Sequence, residues 1–250
     1  MNICNILELT KSKNALLRYA EKIKEKFDGP SAYFYLKVIK RVRSSGKDYI
    51  KLFEDKRFIE YLYATLCSWG IHRMDRNTRM ADFDDFEKNI NNQKSRFERL
   101  KNKDLVKDLY KCEGEIKNLF KELTVMKRAG APKLVANSKI MHYLLPNLIP
   151  PIDKGNSVYF FYGERRWSKE KKQYLRYISS IRDEVEVFWE ILGKFKEIAE
   201  CLKLGVHDLK NKWDTSIPKL IGNAIIGWNI EEKKKYNTKK SKASGKSKGE

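Results

Sequence analysis

The densest run of side chains able to do chemistry lies between residues 133 and 153. Lys133, Lys139, His142 and Asp153 bring two amines, an imidazole and a carboxylate into one helix and the connector that follows it. At helical spacing Ser138, Met141, His142 and Leu145 share one face, with Lys139 and Tyr143 on the neighbouring one. The connector, PNLIPPID from Pro146 to Asp153, holds three prolines, and each fixes its own φ, so Asp153 returns toward the helix by a restricted path. Should these groups converge, a desolvated lysine is a nucleophile, a carboxylate steadies a developing cation, and an imidazole moves a proton. A plainer reading stands beside that one. A histidine in an apolar helix packs with its nitrogens satisfied, and an aspartate after Pro-Pro caps a helix or closes an Asx-turn. The four residues are the candidate catalytic set.

Two other clusters suit phosphate. Arg73, Arg76 and Arg79 fall in a stretch without hydrophobic periodicity, and each guanidinium offers a planar fork of donors. Arg165 and Arg166 stand beside Trp167, which adds a stacking surface of the kind used on single strands. These six are the candidate nucleic-acid contacts; solvated loops are the alternative. DFDDFE (82–87) groups Asp82, Asp84, Asp85 and Glu87, either for a divalent cation or as the acidic first turn of a helix. Cys4, Cys67, Cys112 and Cys201 are too scattered for a paired-cysteine metal site or a disulfide scaffold, so no metal or cofactor is expected. There is no phosphate-cradling glycine motif, no H-E-x-x-H and no G-x-S-x-G.

Helices must position these groups. Apolar residues step by three and four through most of the chain, as at Leu16, Tyr19, Ile23 and Phe27, and again at Phe58, Ile59, Leu62 and Leu66. The pattern predicts helices over about 10–27, 31–43, 55–69, 82–99, 104–127, 133–145, from near Ser157, from Ser168 to Leu204, and a short last one over 217–229. Nothing alternates with period two for long. The expected fold is all-α, a single multi-helix domain over residues 1–230 with Trp69, Trp189 and Trp228 in its core. A disordered, Lys-rich tail over 231–250 follows, low in complexity and without apolar anchors.

The charge balance points to a partner. The chain holds 53 Lys and Arg against 33 Asp and Glu, a net of +20. A field of that size gathers polyanions, and phosphate contacts release counterions, so DNA or RNA is the expected partner and its binding should weaken with salt. An enzyme acting on nucleic acid, glycosylase/lyase-like or a nuclease, is one alternative; a component that contacts another protein, such as a defence system, is a second. No apolar run approaches the roughly 18 residues that a membrane span requires. The N-terminal stretch lacks a signal-peptide pattern, and a cytoplasmic, reducing setting is expected.

The segments YATLCSWGIHRM (63–74), DFDDF (82–86), LVANSKIMHYLLPNLIPPID (134–153), YFFYG (159–163) and PKLIGNAIIGW (218–228) together resemble a family of uncharacterised prokaryotic α-helical proteins. Where that resemblance implies an Arg-Glu-Tyr-Thr-like continuation after Asp153, this chain has Lys154-Gly155-Asn156-Ser157. A weaker resemblance is to helix-hairpin-helix DNA glycosylases, with Gly130-Ala131-Pro132-Lys133 at the hairpin and Asp153 twenty positions after Lys133. It implies that Lys133 attacks C1′ while Asp153 stabilises the cationic sugar and aromatic residues hold a flipped base. Pro132 departs from that pattern, since it replaces the second hairpin glycine and removes a backbone donor.

Overall fold

Ser12 shows how the chain divides its apolar stripe into separate elements. It lies in extended geometry (φ −162°, ψ 157°), ends helix α1 (Ile3–Thr10), and accepts the Ala15 N–H at 3.1 Å to open α2 (Lys13–Glu21). Within the predicted 10–27 range the structure has α2 followed by a 3-10 turn (Lys22–Glu25), and α1 precedes that range. The computed structural model describes residues 2–25, 27, 29–46, 48–73, 79–128, 131–162 and 181–245, with side chains as far as Lys235.

Helix α3 (Gly29–Ser44) is followed by α4 (Tyr49–Glu54) and α5 (Lys56–Ser68). Asp55 caps α5 by accepting the Phe58 N–H at 3.3 Å. Gly70, at φ +79°, turns the chain out of that helix in a conformation only glycine takes freely. The predicted 82–99 helix breaks into α6 (Phe83–Asn91) and α7 (Lys94–Leu100). Gln93 leaves helical geometry between them, and its carbonyl receives the Arg96 and Phe97 N–H groups. The predicted 104–127 helix is likewise shorter, as α8 (Leu105–Asp108) and α9 (Glu113–Glu122). Beyond it Leu123 is extended, and the Ala81 N–H donates to the Val125 carbonyl at 2.9 Å. That pairing forms an isolated bridge between Met80 and Met126; among the described residues there is no strand.

Helix α10 (Leu134–Leu144) is the centre of the molecule. Every residue in it except Val135 is buried, and it packs against α3, α5, α9 and α12 (Ile181–Cys201). A helix buried all round must satisfy its polar side chains internally. The Asn137 side-chain amide does so on its nitrogen, donating to the Phe120 and Leu123 carbonyls, both at 2.8 Å, which closes the C-terminus of α9, while its Oδ1 has no partner among the described residues. Ser138 donates to the Val135 carbonyl at 3.1 Å and the Ile152 carbonyl at 3.3 Å. A π-helical turn (Lys154–Val158) and the short α11 (Tyr159–Tyr162) follow the proline connector.

The last helix, α13 (Ile217–Gly245), runs well past residue 230. Glu231 accepts from Lys22 and lies 4.0 Å from Arg18, and Lys235 pairs with Glu232 at 2.9 Å. These pairs carry the body to at least Lys235, so the boundary drawn at 230 moves C-terminally; lysine is also a good helix former. Helix α13 lies so close to α2 that a Cβ on Gly227 would sit 1.9 Å from the Tyr19 carbonyl oxygen. The whole is a single all-α domain, and among the described residues no helix is long and apolar enough to cross a membrane.

Candidate functional site

Four elements converge on one small cavity. Lys139, His142 and Tyr143 face it from α10, and Lys219, Gly222 and Ile226 from α13, each set at helical spacing along one face. The connector adds Pro151, Ile152 and Asp153, α3 adds Tyr35, and Trp69 closes the rim just after α5. The cavity measures about 30 Å³. One water requires roughly 10–15 Å³, so the space holds a solvent molecule or two and not a nucleobase.

The two amines define its chemistry. Lys139 is 8% exposed and Lys219 4%. The Lys139 Nζ lies 4.4 Å from the centroid of the Trp69 ring; the Lys219 Nζ lies 4.6 Å from that of Phe27 and 5.2 Å from that of Tyr35. Rings of this kind attract cations through their quadrupole. Among the described residues neither ammonium has a hydrogen-bond acceptor, and neither is in an ion pair within 4 Å. Burial depresses both amines from 10.5 to about 8, against the pull of the Asp153 carboxylate; Lys139 further lowers Lys219, and Asp214 raises it. Near neutral pH each therefore keeps a fraction in the nucleophilic, neutral form.

Asp153 stands in two places at once. It lines the cavity, and it also caps the π-helical turn. Its Oδ1 accepts from the Asn156 backbone N–H at 2.6 Å, and its two oxygens accept from the Asn156 side-chain amide at 3.0 and 2.9 Å. The carboxylate thus acts on the amines through space rather than by contact. Asn156 holds it in place.

His142 is held neutral. Its Nδ1 lies 2.7 Å from the Ile149 carbonyl oxygen, which can only accept, so Nδ1 carries the proton. Nε2 then accepts from the Tyr35 hydroxyl at 3.2 Å, and Tyr35 in turn accepts from Thr215 at 2.5 Å. Burial first, then the Lys219 charge, pushes the imidazole down from 6.5 to about 3. Both ring nitrogens are spoken for, which leaves His142 to fix the connector and Tyr35 rather than to shuttle protons.

Lys133, the fourth member of the predicted set, is directed elsewhere. Its Nζ donates to the Lys121 carbonyl at 2.7 Å, at the end of α9. Its backbone N–H donates to both Glu184 oxygens at 3.0 and 2.9 Å, and the Leu134 N–H to one at 3.2 Å, so Glu184 caps α10 from another helix. Twenty positions before Asp153, Lys133 serves as a structural anchor; Lys139, six residues along, shares the cavity with the aspartate instead.

No family model, curated protein or solved structure matches this chain. Both resemblances therefore rest on the quoted residues alone.

The predicted polyanion contacts divide. The side chains of Arg73, Arg76, Arg165, Arg166 and Trp167 lie outside the described residues. Arg79 is half-buried; its Nε is buried without a hydrogen-bond partner among the described residues, and its backbone carbonyl accepts the Lys127 N–H at 2.9 Å. Asp82 is paired with Lys127 at 2.7 Å, and Asp84 and Asp85 occupy the first turn of α6. Among the described residues no cluster of potential ligands suits a metal ion. The acidic run reads as the start of a helix.

Lys219, Tyr35 and Thr215 were not singled out by sequence. Lys219 carried one signal, as the lone charge in IPKLIGNAIIGW, three and seven positions before Gly222 and Ile226. Trp69, expected in the core, is 36% exposed. It is shared between the inner cavity and an outer hollow of about 530 Å³ lined by Pro30, Phe34, Cys67 and His72. Trp228 is buried as expected, Trp189 only partly, and Trp213 joins the core.

Proposed function

We propose that this protein is an enzyme acting on nucleic acid, which attacks an electrophilic sugar carbon with the amine of Lys139. The observation that carries the reading is the shared cavity. Two desolvated amines without acceptors stand beside a fixed carboxylate, an arrangement that sustains an unprotonated lysine near neutral pH. The excess of 20 positive charges supports a polyanionic substrate. In the reaction, the neutral Lys139 nitrogen adds to the aldehyde C1′ of an opened abasic sugar. The neighbouring Lys219 ammonium gives a proton to the carbinolamine hydroxyl, which leaves as water; an iminium forms on Lys139, and Asp153 stabilises its positive charge. Trp69 stands between the closed cavity and the outer hollow, so the sugar reaches Lys139 only when that ring moves aside.

Borohydride tests the chemistry, since hydride converts the iminium to a stable secondary amine. DNA bearing an abasic site should become covalently attached to the wild-type chain. Lys139→Ala should abolish the adduct while Lys133→Ala retains it. Loss in Lys133→Ala with full trapping in Lys139→Ala would refute the assignment.

The net charge by itself favours a second reading, binding without chemistry. It predicts salt-sensitive retention of DNA or RNA with no trapped adduct in any variant.

A further inference from the structure

The inner cavity has a property that amine chemistry does not use. Two ammonium groups carry up to six donor hydrogens between them, and the described protein offers them aromatic faces but no acceptor. The nearby carboxylates are committed elsewhere. Asp153 has both oxygens on Asn156, while Asp214 accepts from the Asn223 side chain at 2.8 Å and from Asn211. His142 is turned toward Ile149 and Tyr35, and it adds no charge of either sign. Two buried cations with no ligand at all would each cost several kcal/mol, so the space between them must hold water or an anion. At about 30 Å³ the space admits one monatomic ion and excludes a phosphate-bearing ligand.

We infer that the cavity between Lys139 and Lys219 is a binding site for one small monovalent anion of halide size. Such an ion accepts from both ammonium groups at once, a contact that neither Asp153 nor Asp214 makes. It also favours the protonated form of Lys139. Halide therefore opposes the nucleophile, and a substrate must displace it.

Bromide is the probe. The unfolding temperature of the full chain is measured while sodium gluconate is replaced stepwise by sodium bromide at constant ionic strength. The wild type should gain stability along a saturating, single-site curve. Lys139→Met and Lys219→Met should each weaken the apparent bromide affinity at least ~10-fold, as expected for loss of one charged hydrogen bond. An unchanged saturating response in both variants would place the ion on the surface and overturn the inference, as would a flat response in the wild type. Should a variant fail to fold, bromide-soaked crystals of the wild type decide. An anomalous peak between the two Nζ atoms supports the site; ordered density there without anomalous signal means water and refutes it. None of these readings involves nucleic acid or an iminium, so this site and the Lys139 chemistry stand or fall separately.

Discussion

Lys139 and Lys219 tie stability to pH with a definite sign. A lysine whose amine is depressed from 10.5 to about 8 on folding leaves the unfolded chain holding more protons between those values, so stability rises with pH across that window. The rise should end near pH 10, where Tyr35 and Tyr49, whose hydroxyls burial holds well above their usual range, begin to favour the unfolded chain. Denaturant melts from pH 7 to 10 should show the slope in the wild type and a shallower one in Lys139→Met and Lys219→Met. His142 acts on the acid side. It is neutral in the fold down to about pH 3 and protonates near 6.5 when unfolded, so its contribution is intact above pH 6.5 and disappears as pH falls from 6.5 to 3. A His142→Gln variant should lose most of that acid sensitivity while being less stable at pH 7 by roughly 1–3 kcal/mol, the cost of unpaired buried partners. Lys139, His142 and Asp153 were legible in the sequence because a helix and a proline-restricted connector place them by short-range geometry. Lys219, Tyr35 and Thr215 were not, because they arrive from elements 60 or more residues away in the chain and only packing brings them in.

At the scale of elements, the sequence located most helices and misjudged where they stop. Periodicity reports a shared apolar face, and α6 and α7 keep facing the core across a break, so the stripe alone does not reveal it. The breaks are set by local caps such as Ser12 and by Gln93, whose effect depends on backbone geometry rather than on residue type. The close approach of α13 to α2 gives a sharp test. Gly227→Ala would drive a methyl into the Tyr19 carbonyl, so the helices must part, and we expect a loss of roughly 3 kcal/mol, at the upper end of overpacking costs. Gly114→Ala, which meets nothing within 4 Å, should be neutral or stabilising and serves as the control. Urea titration of the two variants separates a packing clash from a general intolerance of substitution. Asn137→Leu should also destabilise, by leaving the Phe120 and Leu123 carbonyls at the end of α9 without a donor, at about 1–3 kcal/mol for each buried group.

For the whole molecule, the all-α class followed from composition and periodicity, while the site followed only from how α3, α10, α13 and the connector pack together. The charge excess is a property of the whole chain and gives a whole-chain prediction. Affinity for DNA should fall steeply between low and moderate salt, as counterion release requires, and fluorescence anisotropy at several salt concentrations measures the slope. That slope reports polyanion binding but does not say what is done to the polyanion. The central claim is that Lys139 acts as a nucleophile beside Asp153, and the most direct test is to map the borohydride-trapped adduct on abasic DNA by mass spectrometry of the digested protein. The account predicts a single modified residue, Lys139, and no adduct in Lys139→Ala. Label spread over surface lysines, or undiminished in that variant, would contradict it.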